Sequence, residues 1–332
     1  MKTEMGVKKK IFFLVLIVAV LAILPLVLKR ADVLNLLFLV LLFITLSQSW
    51  NILGGYTGYV NLGHAGFFGL GSLIARLLWF SGWPVLLAIF IGGLLALVFA
   101  LIIGSSAFRL KGVYFVFGML ALAEIMRKIV ANTFLSISAV PAEYVAGYNL
   151  TPRYHVALFI AGMAVAVVFW LSHSKTGLAL VAIREDEETA ATAGVNTFKF
   201  KLLALSMSAF FAGLAGGSFA FFHISFYLSH PFHVTWTFDA LFISYIGGIG
   251  TVIGPIVGTL FYVALREIVS VVLPVQVHVI VFGLLFLLVI LFMPKGLVQV
   301  PGKISRLRSY FLNVRYDARH RKAMEKPTPY ED

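Results

Sequence analysis

Four consecutive acids, Glu185 to Glu188, stand in a 332-residue chain that has only fourteen Asp and Glu against twenty-six Lys and Arg. Acids so concentrated either take part in a reaction or present a handle to a partner. A reaction needs companions, and none is legible: HExxH and GxSxG are absent, and no His and carboxylate cluster occurs. With no cysteine there is no disulfide, thiolate metal site or thiol nucleophile. Glu124 precedes Arg127 and Lys128 at i+3 and i+4, the favourable order for a structural ion pair along a helix. Asp239, Arg266, Glu267 and Arg76 fall towards the ends of apolar stretches, where snorkelling or local pairing relieves burial. His155, His173, His223, His230 and His233 sit at loop edges and read as interfacial. We therefore expect no catalytic residue, no metal and no cofactor.

Two glycine-rich stretches invite a different kind of function. "GGYTGYVNLGHAGFFGLGSL", residues 54–73, has the small-xxx-small spacing of membrane helix contacts at Gly54 to Gly58 and Ala65 to Gly69. Its sharper reading makes Asn61, Gly63 and His64 a helix break whose freed backbone lines a polar pathway. In "GGIGTVIGPIVGT", Gly250, Gly254 and Gly258 recur at i+4 and form one packing face if the helix is continuous. Pro255 argues for a break there instead. Neither stretch is GxxxxGK[ST] or a strand-to-helix GxGxxG, so no nucleotide motif is present. "FFGLGS" at 67–72 and "FFAGLAGGS" at 210–218 are faintly alike, as an inverted repeat would allow, although abundant Phe and Gly make chance the fairer account.

The elements that must carry these residues are membrane spans. The chain is 61% hydrophobic and 12% charged, far from soluble usage. The expected fold is an all-α polytopic membrane protein of about ten transmembrane helices, at 11–28, 34–53, 60–80, 85–107, 112–130, 155–172, 202–222, 238–253, 254–273 and 277–293. Residues 1–10 then form a cytoplasmic N-terminus, 11–293 the transmembrane domain with a loop at 173–201, and 294–332 a basic cytoplasmic tail. With both termini inside, nineteen Lys and Arg fall inside against six outside, the distribution that the positive-inside rule favours. The net charge of +12 belongs to these flanks and not to a nucleic-acid groove. The aromatic, basic tail suits membrane lipid headgroups as well as it suits solvent. Segment 131–153 is the longest predicted outside loop, where an external partner has room to dock.

The acid run thus falls in the one long internal cytoplasmic loop. Residues 178–191 predict a single short amphipathic helix, with Gly194 and Asn196 as its stop. Leu180, Ile183, Glu187, Ala190, Ala191 and Gly194 share a face suited to a groove on a partner, with the acids orienting it. A solvated loop helix is the plainer alternative.

Glu188, Ala190 and Gly194 fit the EAAxxxG pattern of permeases driven by separate ATPases, with Thr189 in place of its first Ala. "GYTGYVNLGHAGFFGLGSL", "FRLKGVYFVFGMLALAEIMR", "AIREDEETAATAGVN", "GGIGTVIGPIVGTLFYVALRE" and "FMPKGL" follow in order over most of residues 54–297. In these the chain resembles branched-chain amino acid ABC transporter permeases of the LivM type. The resemblance implies a multi-pass permease of the cytoplasmic (inner) membrane, not itself an enzyme. It would pair with a paralogous permease, two cytoplasmic ATPase subunits and an extracytoplasmic solute-binding protein. It also implies that Arg184, Glu185, Asp186, Glu188 and Gly194 couple the ATPases to the spans. "SISAVPAEYVAGYNL" departs from the family's "TGG…GL", so urea or another small polar solute stands as an alternative substrate. An ion-coupled secondary transporter is a more distant alternative, with Glu124, Asp239 and Glu267 as its only candidate carboxylates.

Overall fold

The computed structural model describes residues 19–25, 30–142, 148–272, 281, 283, 284, 287, 288, 291 and 296–299. The predicted N-terminus 1–10, most of the spans 11–28 and 277–293, and all but four residues of the tail 294–332 lie outside them. The helices are α1 (Ala31–Thr57), α2 (His64–Phe80), α3 (Val85–Ala107), α4 (Val113–Thr133), α5 (Leu150–Ser172), α6 (Lys175–Glu185), α7 (Glu187–Thr192), α8 (Thr197–Phe222), α9 (Thr235–Gly247) and α10 (Gly254–Val272). Of these, α1, α3, α5 and α8 are long and apolar enough to cross a membrane. α2 is apolar but has 17 residues, and α9 has 13. The expected span 238–253 therefore needs correcting. Its helix stops at Gly247, because Gly248 (φ 131°) and Gly250 (φ 74°) take backbone angles closed to a right-handed helix.

α8 runs through the centre, packed on α1, α2 and α3. Lipid tails are as apolar as Leu, so helices associate there by close van der Waals fit rather than by escape from water. Glycine supplies that fit. A Cβ placed on Gly71 would lie 2.1 Å from the Gly213 carbonyl oxygen, and one on Gly216 only 1.9 Å from that of Phe68. The similar stretches 67–72 and 210–218 therefore meet as packing partners. Gly92 and Gly93 bring α3 onto the same seam, against Gly71 and Leu214. Outward, Leu86, Phe90 and Ile102 of α3, Phe117 of α4 and Phe159 of α5 are exposed, an apolar surface suited to hydrocarbon.

The end of α8 remote from α7 carries a feature the all-α expectation did not include. β1 (Ile137–Ala139) and β2 (Ser225–Tyr227) pair antiparallel, with Ser138 opposite Phe226. Arg76 fastens this ribbon to the helices. It is fully buried and does not snorkel: its guanidinium donates to the carbonyls of Ala220, Ser138, His223 and Ile224 at 3.0–3.2 Å and lies 4.7 Å from the Phe226 ring. Carbonyls at the end of α8 lack helical partners, and a buried cation is tolerable where several of them converge. Glu124 and Arg127 form the expected ion pair along α4.

Candidate functional site

The acid run is where two helices meet at an elbow. Ser174 starts α6 by accepting from the Gly177 N–H at 3.0 Å. The single helix expected over 178–191 breaks at Asp186, which is extended (φ −160°, ψ 113°), and its carboxylate accepts from the Thr189 N–H at 2.7 Å. Aspartate competes with the helix for backbone N–H groups, so it caps a new helix instead of continuing the old one. That hydrogen bond holds the Asp186 carboxyl below its usual range. Glu187 and Glu188 then occupy the first turn of α7, where the helix dipole favours negative charge. The stop is equally local. Gly194 (φ 87°) donates to the Ala191 carbonyl and Val195 to that of Ala190, both at 3.0 Å, a paired closure that needs a left-handed residue.

Of the face expected to enter a partner's groove, Leu180, Ile183 and Ala190 are buried within the chain itself, whereas Ala191 and Gly194 stay exposed. Leu178, Val181, Arg184, Glu185, Asp186 and Glu188 are exposed as well. Two side chains lock the elbow in place. Arg184 donates from Nη1 to the Gly55 carbonyl at 2.8 Å, satisfying one of the orphan acceptors that end α1. Glu187 accepts from the Tyr59 hydroxyl at 2.6 Å and from the Lys201 ammonium, whose Nζ also lies 3.1 Å from the Tyr59 hydroxyl. Burial opposes ionisation of Glu187, but the hydrogen bonds from Lys201 and Tyr59 outweigh it and hold its carboxyl below the usual range. Burial, with the Glu187 carboxylate beside it, pushes the Tyr59 hydroxyl up.

Asn61, Gly63 and His64 lie at a true interruption: α1 ends at Thr57, capped by Gly58 (φ 76°), and α2 begins at His64. The freed groups are answered by side chains. Trp50 Nε1 donates to the Asn61 carbonyl at 3.0 Å, the Gly63 N–H donates to Asn61 Oδ1 at 2.8 Å, and Thr237 Oγ1 accepts from the Ala65 N–H. His64 Nε2 lies 2.8 Å from Ser49 Oγ. Asn61 and His64 are both sealed from solvent. Gly63 is pressed on the Met119 carbonyl of α4, 2.3 Å from where its Cβ would be.

Gly250, Gly254 and Gly258 do not form one helix face, since Gly250 lies in the turn 248–253 and α10 starts at Gly254. Gly254 and Gly258 abut the Gly248 and Ile243 carbonyls of the neighbouring α9 hairpin, whereas Gly250 approaches Arg184 and Gly55. Sequence reasoning missed what satisfies this turn. Asn51 accepts from the Gly250 N–H at 2.8 Å and donates to the Thr251 carbonyl at 2.9 Å, and Gln48 donates to the Val252 carbonyl at 2.7 Å. Non-helical backbone packed inside the protein needs such partners. Their signal was present as two amides three residues apart inside an apolar run. Tyr59 and Lys201 had no such signal, lying 128 and 14 residues from Glu187.

Among the described residues no group of three or more His, Asp or Glu is placed to hold a metal. The family described as "Branched-chain amino acid transport system / permease component" matches residues 33–290. The high-affinity branched-chain amino acid transport system permease protein LivM of Escherichia coli (strain K12) is 27% identical over 91% of this chain and 78% of its own length. Its counterpart in Salmonella typhimurium is 26% identical over the same shares. A Haloferax volcanii protein named as a glucose ABC transporter permease, TsgC13, is 48% identical over 59 residues, 18% of each chain. No solved structure matches.

Proposed function

The chain belongs to the permease-component family of branched-chain amino acid transport systems, and from that membership we propose that it forms half of the translocation path of an ATP-driven importer for branched-chain amino acids. It is a multi-pass transport subunit and not an enzyme. In this reading a paralogous permease completes the path, two cytoplasmic ATPase subunits supply energy and an extracytoplasmic binding protein delivers the solute. About ten spans leave both termini and the loop 173–201 in the cytoplasm, which the excess of Lys and Arg on that side supports. The chain sits in the inner membrane, with the basic tail 294–332 beside lipid headgroups.

The elbow of α6 and α7 carries the mechanism. Its inner side is fixed to α1 by Arg184, and to α8 and the helix break by Glu187, while Glu185, Asp186 and Glu188 face outward. A push on the outward acids is delivered to three elements at once. Arg184, Glu185, Asp186, Glu188 and Gly194 therefore act as the coupling set, with no bond broken or formed in this chain. Asn61, Gly63 and His64 hold the break between α1 and α2 in register with that motion.

The test is uptake by vesicles carrying the chain with its candidate partner subunits. Leucine uptake that requires ATP, competes with isoleucine and valine and ignores urea and glucose supports the assignment. Competition by urea or glucose would transfer the role to another solute. Uptake that persists without ATP and collapses with a proton uncoupler would overturn it.

A further inference from the structure

At the end of the molecule away from the elbow, a cavity of about 460 Å³ lies between α1, α8, α9, α10 and the ribbon. Ligand sites run from roughly 300 to 1,000 Å³, so the space suits a small molecule. Its walls are of two kinds. Phe38, Leu42, Phe222 and Trp236 form an apolar side, with Phe38 and Phe222 stacked at 3.5 Å. Arg266, Asn35, His223 and Ser225 supply polar groups, and no carboxylate is among the described lining residues. The nearby acid Asp239 accepts from the Tyr262 hydroxyl at 2.6 Å and is coupled to Arg266 through space, without direct contact. Among the described residues no carboxylate lies within ion-pair distance of Arg266, whose guanidinium rests 5.8 Å from the Phe43 ring. A guanidinium beside a concave apolar wall, with no carboxylate in direct contact among the described residues, is matched to a ligand carrying one carboxylate and a short hydrocarbon group.

We propose that this cavity receives the amino-acid substrate, with its carboxylate against Arg266 and its branched side chain among Phe38, Leu42 and Phe222. The assignment rests on the importer reading and adds a site to it. The Trp236 ring in the same wall offers the α-ammonium a favourable field that needs no acid. Urea and glucose lack the anion that Arg266 selects, as does 3-methylbutylamine, which keeps leucine's side chain and loses its carboxylate.

Because the chain has no cysteine, one introduced thiol reports on one place. Ser225→Cys puts it in the cavity wall, Tyr227→Cys is a second reporter on the same ribbon, and Ser81→Cys is an exposed control after α2. In vesicles bearing the whole complex, millimolar leucine slows maleimide labelling at 225 and 227 several-fold, leaves 81 unchanged, and 3-methylbutylamine protects neither. Adding Arg266→Gln reduces the protection about tenfold, as expected for loss of one charge-assisted contact. Unprotected thiols in vesicles that still import leucine would overturn the site and leave the importer reading intact. Equal protection by the amine would overturn the carboxylate contact. Vesicles that import no leucine at all would overturn the importer reading itself.

Discussion

Arg184 Nη1 and the Gly55 carbonyl oxygen are 2.8 Å apart, so the last residues of α6 close the open end of α1. Arg184 is exposed apart from this contact, so its loss costs little fold stability, about 1 kcal/mol. Its loss should cost much more function. Arg184→Ala is expected to insert and assemble normally while leucine uptake per ATP hydrolysed falls several-fold. Parallel uptake and ATPase assays check this, and an unchanged ratio would remove Arg184 from the coupling set.

Glu187 and Lys201 should be tightly interdependent. Lys201 keeps 6% of its side chain exposed, so Glu187→Gln leaves a buried cation without its counter-charge. We expect a loss of about 2 kcal/mol, partly recovered when Lys201→Met is added. Thermal stability of the four proteins in detergent measures the cycle, and simple additivity would refute the pairing.

The same pair sets an acid limit. The folded-state carboxyl of Glu187 is depressed, so its stabilisation is complete above the ordinary glutamate value of 4.5 and is lost as pH falls through the lower folded value. The melting temperature attributable to this contact should be flat from neutral pH down to about 4.5 and fall below it. Glu187→Gln should lack that component of the acid decline.

Glycines that look alike in sequence should differ sharply when changed. Gly71→Ala and Gly216→Ala drive a methyl group into a facing backbone carbonyl, and each should cost about 1–3 kcal/mol or more. Gly162 in α5 has nothing within 4 Å of an added Cβ. Gly162→Ala should be neutral or stabilise by up to about 1 kcal/mol. Size-exclusion profiles after graded heating distinguish the two cases.

Gly194 and Glu188 test the elbow from its free side. Gly194→Val forces a branched residue to φ 87°, costing about 1–2 kcal/mol locally. Glu188→Lys reverses an exposed charge with little effect on the fold. Both should leave membrane levels intact and lower uptake relative to ATPase. Unchanged uptake in both would sink their assignment.

Hydropathy marked every long helix of the described core, because a run of apolar residues is a local property. It overextended the segment after Gly247, since glycine and isoleucine score as apolar whether the backbone is helical or turning. The elbow at Asp186 was legible in kind but misread in detail: a capping aspartate and a mid-helix acid have the same letter. Arg76 was misjudged because its four carbonyl acceptors come from residues 138 to 224. The Tyr59, Glu187 and Lys201 contact was invisible for the same reason, being made by three elements that only tertiary packing brings together.

The amides of Gln48 and Asn51 do more than satisfy the turn at 250–252. They project from one side of α1, and an α-helix turns roughly 100° with each residue. Twisting α1 about its own axis would strip partners from the Gly250 N–H and from the Thr251 and Val252 carbonyls, and would pull Gly55 away from Arg184. α1 is in effect a splined shaft: it can tilt or slide with its turn attached, but it cannot spin free of it.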